Sequence, residues 1–321
     1  MRNRHPHVQA ALATMAFAAV FFLLTEPLRS TSVWKPGEWA APVNLGAEVN
    51  SAFEDLAPHV SSNGLALYFA STRPESQGGE DLWVSKRTHH DEPWGPAANL
   101  GAVINTSANE RAPALSSNRR LLFFATDRAG GSGGFDIWLS WRPDPADDFG
   151  WQPPVNLGTG INSAAVDAGP SLLERADWRW ARAPIPQLYM ASARPGGPGG
   201  LDIYVGSVPG GWAGPPTLVT ELNSPQADLT PTVRRDGREI IFASARPGVI
   251  GGFDLWHASR RSVREPWSAP TNLGPDVNTA FVEVFPFLSF DAETLVFQST
   301  RPGGFGGSDL YLSTRERVGR D

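Results

Sequence analysis

Two sets of residues in this sequence have the types and spacing to do chemistry. The first is the kind of stretch seen in "GGSGGFDIW" (130–138), where glycines crowd around Asp136 just ahead of an apolar strand start. Such a pattern suits a calcium-binding nonapeptide, a phosphate-cradling loop or the tip of a hairpin. The second is a series of five carboxylates, Asp55, Glu110, Asp167, Asp228 and Glu283, each followed three positions later by proline. Five carboxylates gathered at one channel mouth would hold a cation or a basic ligand and would raise one another's pKa values.

Both sets belong to one internal repeat. The pattern R-x4-G-G-x-D occurs five times, as Arg73/Asp81, Arg128/Asp136, Arg194/Asp202, Arg246/Asp254 and Arg301/Asp309, with Arg and Asp always eight residues apart. An apolar strand precedes each Arg ("LALYFAST", "EIIFASA") and another follows each Asp ("LWVS", "IWLS"). A Trp-led segment with "NLG" and "IN[ST]" supplies a fourth, as in "WGPAANLGAVINT", and its first copy at Trp39 comes before the repeats begin. Periodic units of four short strands are the signature of propeller blades. The chain is therefore predicted to be all-β: a five-bladed β-propeller over 33–321, with four strands per blade. Its repeats centre on 55–94, 110–151, 167–212, 228–267 and 283–314, and the N-terminal strand 39–46 closes the last blade.

That frame narrows the chemistry. Calcium nonapeptides need tandem copies, and a nucleotide loop needs a helix after it and often a lysine; here a strand follows, so the glycines read as hairpin turns. Arg and Asp flank each tip, and the ten residues are assigned structural roles as pairs across the hairpin base. The five carboxylates are candidates for a cation- or ligand-binding ring at the channel mouth, or else each caps a turn within its own blade. His59 follows Pro58 where the other blades carry Ala, Ser, Thr or Phe, and joins that ring as a candidate metal ligand or base beside Asp55. The third repeat is longer by nine residues between Pro170 and Tyr189. This insertion brings Arg175, Trp178, Arg179, Trp180 and Arg182, residue types that anchor protein contacts, and is the first candidate for a partner site. There is no G-x-S-x-G elbow and no H-E-x-x-H, so no catalytic residue, cofactor or metal is assigned.

The segments "APALSSNRRLLFFATDRAGGSGGFDIW" and "LTPTVRRDGREIIFASARPGVIGGFDLW" resemble the WD40-like β-propeller repeat of TolB-type envelope proteins, and the resemblance extends over about 39–314. It implies a periplasmic or surface propeller with mainly protein-binding roles. TolB itself has six blades and an N-terminal α/β domain, and neither is found here.

The remaining features concern location and partners. A basic head, "MRNRHPH", precedes an apolar run from Val8 to Leu24, which reads as a signal peptide or an N-terminal membrane anchor within 1–32. The chain has no cysteine and a net charge of −6, with no basic stripe, which sets nucleic acid aside. The expectation is an exported monomer acting as a non-catalytic protein-binding scaffold in the cell envelope. The alternative is an envelope glycan-binding protein, or a glycan-active hydrolase or lyase, that uses the channel face.

Overall fold

The computed structural model describes residues 37–174, 186–207 and 215–316. They form five four-stranded antiparallel sheets. The first blade is β2 (Asp55–Val60), β3 (Ala66–Ser71), β4 (Asp81–Lys86) and β5 (Ala98–Asn99); the second is β6 (Glu110–Leu115), β7 (Leu121–Thr126), β8 (Asp136–Trp141) and β9 (Val155–Asn156). The third is β10 (Asp167–Leu173), β11 (Gln187–Ser192), β12 (Asp202–Ser207) and β13 (Thr217–Leu218); the fourth is β14 (Asp228–Val233), β15 (Glu239–Ser244), β16 (Asp254–Ser259) and β17 (Thr271–Asn272). In the fifth, β18 (Glu283–Leu288), β19 (Thr294–Ser299) and β20 (Asp309–Thr314) are completed by β1 (Val43–Asn44), with Val43 opposite Leu312 and Asn44 opposite Tyr311. The predicted closure by the N-terminal strand is what forms.

Middle strands such as "ALYFAS" are buried along their whole length because each sheet is covered on both faces by neighbouring blades. Core clusters lie between blades: Tyr68, Leu82 and Val84 pack with Leu122, Phe124 and Trp151, for example. The innermost strands all carry a β-bulge just ahead of their proline, with Ala57, Ala112, Gly169, Thr230 and Phe285 at positive φ. A bulge bends the strand and re-aims its side chains, here around the central axis.

The glycine-rich stretches are hairpin tips, as predicted. The residue two after each Arg is left-handed in every blade: Gly130, Gly196, Gly248 and Gly303 at φ +91 to +109, and Glu75 at φ +76. A second glycine, such as Gly306, packs so close to the incoming loop of the next blade that a Cβ would lie 1.9 Å from the Phe53 carbonyl oxygen. The first tip thus carries a side chain where the conformation disfavours one, at a cost of about 1–2 kcal/mol. Glu75→Gly is expected to raise the free energy of unfolding by about 1 kcal/mol in urea denaturation, and Gly248→Ala to lower it by a similar amount.

Candidate functional site

The repeated charges are joined differently from the sequence expectation. Arg73 does not reach across its hairpin to Asp81; its guanidinium meets Asp55, the carboxylate that opens the same blade. The other four do the same: Arg128 with Glu110 at 3.0 Å, Arg194 with Asp167 at 2.7 Å, Arg246 with Asp228 at 2.5 Å and Arg301 with Glu283 at 3.3 Å. Each arginine also donates to the backbone carbonyl of the incoming loop (Val49, Ile104, Ile161, Leu222 or Val277). Its Nε donates to the Ser or Thr that ends the second strand, as Arg246 does to Ser244 at 2.9 Å. The reason is geometric: the arginine leaves the end of its strand pointing back toward the incoming loop, where the carboxylate already sits.

Each carboxylate accepts, in addition, the N–H of the Ser or Thr four residues before it, as Asp228 does from Ser224 at 2.6 Å. All five are fully buried. They therefore occupy five separate ion pairs, one per blade, and do not converge on a channel mouth. Among the described residues no group of His, Asp and Glu is placed to hold a metal ion.

The aspartates after the tips close the hairpins instead. Asp254 accepts the N–H groups of Ile250 at 2.7 Å and Gly251 at 3.2 Å, plus the Asn272 amide at 2.6 Å. Asp81, Asp136 and Asp309 take the same amide from Asn99, Asn156 and Asn44. In the third blade Leu218 stands at that position opposite Tyr204, so Asp202 keeps only the tip N–H of Gly199. Burial pushes the Asp202 carboxyl above its ordinary range.

His59 lies on the central channel, but not as a ligand or base. Its Nε2 accepts the backbone N–H of Leu115 in the next blade at 3.0 Å, and its ring packs edge-on against Phe287 at 4.5 Å. Ser171 and Thr232 serve the same purpose for Val233 and Leu288. Burial lowers the imidazole pKa to about 3, so His59 is a neutral acceptor that fastens one blade to the next.

The channel encloses a cavity of about 70 Å³, lined by the bulge prolines and by His59, Glu174, Arg235 and Phe290. Ligand pockets typically run to ~300–1,000 Å³, so a larger ligand would sit at the mouth. The mouth at the end of the innermost strands away from the glycine tips carries Glu174, whose Oε2 accepts the Ser117 N–H, and exposed Arg235, whose guanidinium lies 5.7 Å from the Phe290 ring centroid. Arg175, Trp178, Arg179, Trp180 and Arg182 lie outside the described residues; Glu174 and Pro186 bracket them.

Sequence reasoning missed Glu174 and a second arginine series. Six residues after the hairpin Asp, Arg87, Arg142, Arg260 and Arg315 stack on the Trp of the fourth strand (Trp94, Trp151, Trp267 and Trp39) at 4.0–4.3 Å. That fixed spacing was the available signal. Arg315 further makes a two-point pair with buried Glu239 of the neighbouring blade, both contacts 2.8 Å, beside His257.

No protein-family model and no curated protein matches the sequence. Among solved structures, the chain is similar to the catalytic domain of the Coprinopsis cinerea GH62 α-L-arabinofuranosidase, with a TM-score of 0.57 and 13% identity over 87% of this chain and 97% of that one. A thermostable family-43 glycoside hydrolase aligns with a TM-score of 0.54 and 13% identity over 85% and 92%. TolB from Acinetobacter baumannii aligns with a TM-score of 0.49 and 12% identity over 85% and 57%. At these identities the likeness is one of fold alone, that of a β-propeller. The expected non-catalytic protein-binding scaffold is nevertheless overturned as the leading reading, because most of the similar structures are glycoside hydrolases.

Two outcomes follow for the repeated and channel residues. Arg246→Met strands the buried Asp228 carboxylate and should cost about 3–5 kcal/mol in denaturant unfolding, with no change in melting temperature on adding calcium. For His59, the unfolded imidazole takes up a proton near pH 6.5 and the folded one near 3. The unfolded state thus binds more protons between those values, and stability falls as pH drops from about 6.5 toward 3, by up to about 1.4 kcal/mol per pH unit. His59→Gln keeps an acceptor for Leu115 and should make that slope measurably shallower. A residual slope is expected from His257, which burial shifts downward as well.

Proposed function

We propose that this chain is an exported propeller that binds or hydrolyses a glycan of the cell envelope at the Glu174 mouth of its central channel. Export rests on the basic head and the apolar run of Val8 to Leu24. The observation that carries the glycan reading is the sharing of this architecture, over most of both chains, with α-L-arabinofuranosidases and other glycoside hydrolases. The mouth supplies fitting contacts: a carboxylate to accept sugar hydroxyls, a guanidinium to donate to them, and the Phe290 ring for an apolar sugar face. Both stereochemical routes of glycoside hydrolysis use a pair of carboxyl groups about 5–9.5 Å apart. Among the described channel-lining residues Glu174 is the only carboxylate, so it supplies one member of such a pair and is assigned as the anchoring acceptor for a sugar hydroxyl.

The test is a panel of aryl glycosides, including α-L-arabinofuranosides, together with envelope polysaccharides, scored for sugar release and for binding. Wild type should release sugar from, or bind, at least one member, and Glu174→Gln should reduce that signal at least tenfold while melting unchanged. Failure of the wild type to bind or cleave any glycan would overturn the reading.

A further inference from the structure

The end of the propeller that carries the glycine tips breaks the repeat in one sector. Where three blades place Gln77, Ser132 and Pro198 at the tip, the fourth and fifth place Ile250 and Phe305. The incoming loops that meet those three tips offer Ala108, Ala165 and Gln226, whereas the loops that meet the last two offer Phe281 and Phe53. Backbone contact seats each pair together: a Cβ on Gly251 would lie 2.0 Å from the Phe281 carbonyl oxygen, and one on Gly306 1.9 Å from that of Phe53. Ile250, Phe281, Phe305 and Phe53 are 44–50% exposed. Nothing in the fold demands apolar groups there, since the other blades do without them. Apolar side chains concentrated at two adjacent seams mark an interaction surface.

The charge at this end has one sign. Among the described residues, its six arginines, the five of the repeat and Arg111, are each already held in an ion pair. Glu54 and Glu75 are exposed there with no ion-pair partner among the described residues. Glu54 lies against the fifth tip, its carboxylate 2.3 Å from where a Cβ on Gly307 would sit. The tips are closed turns, so among the described residues this end has no free strand edge for an extended peptide to join.

We infer that the Phe53–Phe305 and Ile250–Phe281 seams form a second glycan-binding surface, selective for a cationic amino-sugar chain. Sugar rings would lie on the phenyl groups and ammonium groups would meet Glu54 and its neighbours. This deepens the glycan reading but uses residues at the other end from Glu174.

The experiment is titration of the full-length protein with a glucosamine hexamer and with its fully N-acetylated counterpart, at about pH 6, where the amine is charged. The glucosamine hexamer should bind at least tenfold more tightly, and more weakly as salt rises. Phe53→Ala with Phe305→Ser, which installs the residues of the second blade's seam, should lose at least tenfold, as should Glu54→Gln, whereas Glu174→Gln should bind normally. Equal binding of the two hexamers, or no binding of the charged one, overturns the proposal. Loss in Glu174→Gln but not in the seam variants overturns it too, while leaving the channel reading standing. Binding of a lysine- and phenylalanine-containing peptide in place of the hexamer would assign the surface to a protein instead.

Discussion

The rest of the structure hangs on one buried interaction repeated five times: an arginine that joins the carboxylate opening a blade, the carbonyl of the loop entering it and the hydroxyl ending its second strand. Removing either charge alone would leave the other in a low-dielectric environment without compensation. The arrangement tolerates the desolvation of both because nearly every polar atom is matched. The Ser or Thr hydroxyl and N–H complete the carboxylate, and aromatic rings such as Phe242 and Trp256 cover the guanidinium at 5.0 and 5.2 Å. The pair sets where the innermost strand starts, and so fixes the bulge, the proline and the position of the channel-facing side chain. This is why His59, Ser171 and Thr232 can each find the backbone of the next blade.

The repeat made much of this legible. Blade number, strand number, closure by the N-terminal strand and the turn role of the glycines all follow from periodicity and from which conformations glycine alone adopts cheaply. The ion pairs did not follow, because two acidic residues per blade compete for each arginine, and linear spacing favours the nearer in sequence. Eight residues across a tight turn look like a pair, whereas Asp55 and Arg73 are eighteen apart. What decides is direction: the arginine lies beyond the last ladder residue and turns toward the incoming loop. The stacked series of Arg87, Arg142, Arg260 and Arg315 stayed hidden for a different reason. It sits at the other end of the strands and is missing from the third blade, where Val208 occupies that place. Glu174 was hidden too, because it belongs to no repeat and lies at the edge of the insertion rather than within it.

A scaffold whose recurrent charges neutralise one another within each blade has few left for a ligand. The five carboxylates that looked like a binding ring are the least available in the molecule, and chemistry falls to residues without counterparts. At one end these are Glu174, Arg235 and Phe290 around the channel mouth; at the other they are the apolar pairs of the fourth and fifth tips with their carboxylate rim.

The two ends also differ in the kind of ligand their charges allow. Arginines cluster in the turns and connections at the channel-mouth end, where Arg119, Arg120, Arg235 and Arg238 stand among carboxylates of both exposed and paired kinds. A neutral or mixed-charge sugar can be oriented there by donors and acceptors together. The tip end offers acceptors and phenyl rings without an unpaired cation among the described residues, so an anionic or neutral polymer gains only the stacking. A cationic one gains both terms and releases no buried charge in doing so. Because the tips are pinned by Asp254 and Asp309 through their own backbone N–H groups, Ile250 and Phe305 are presented on rigid turns, and little ordering entropy opposes their use as contacts.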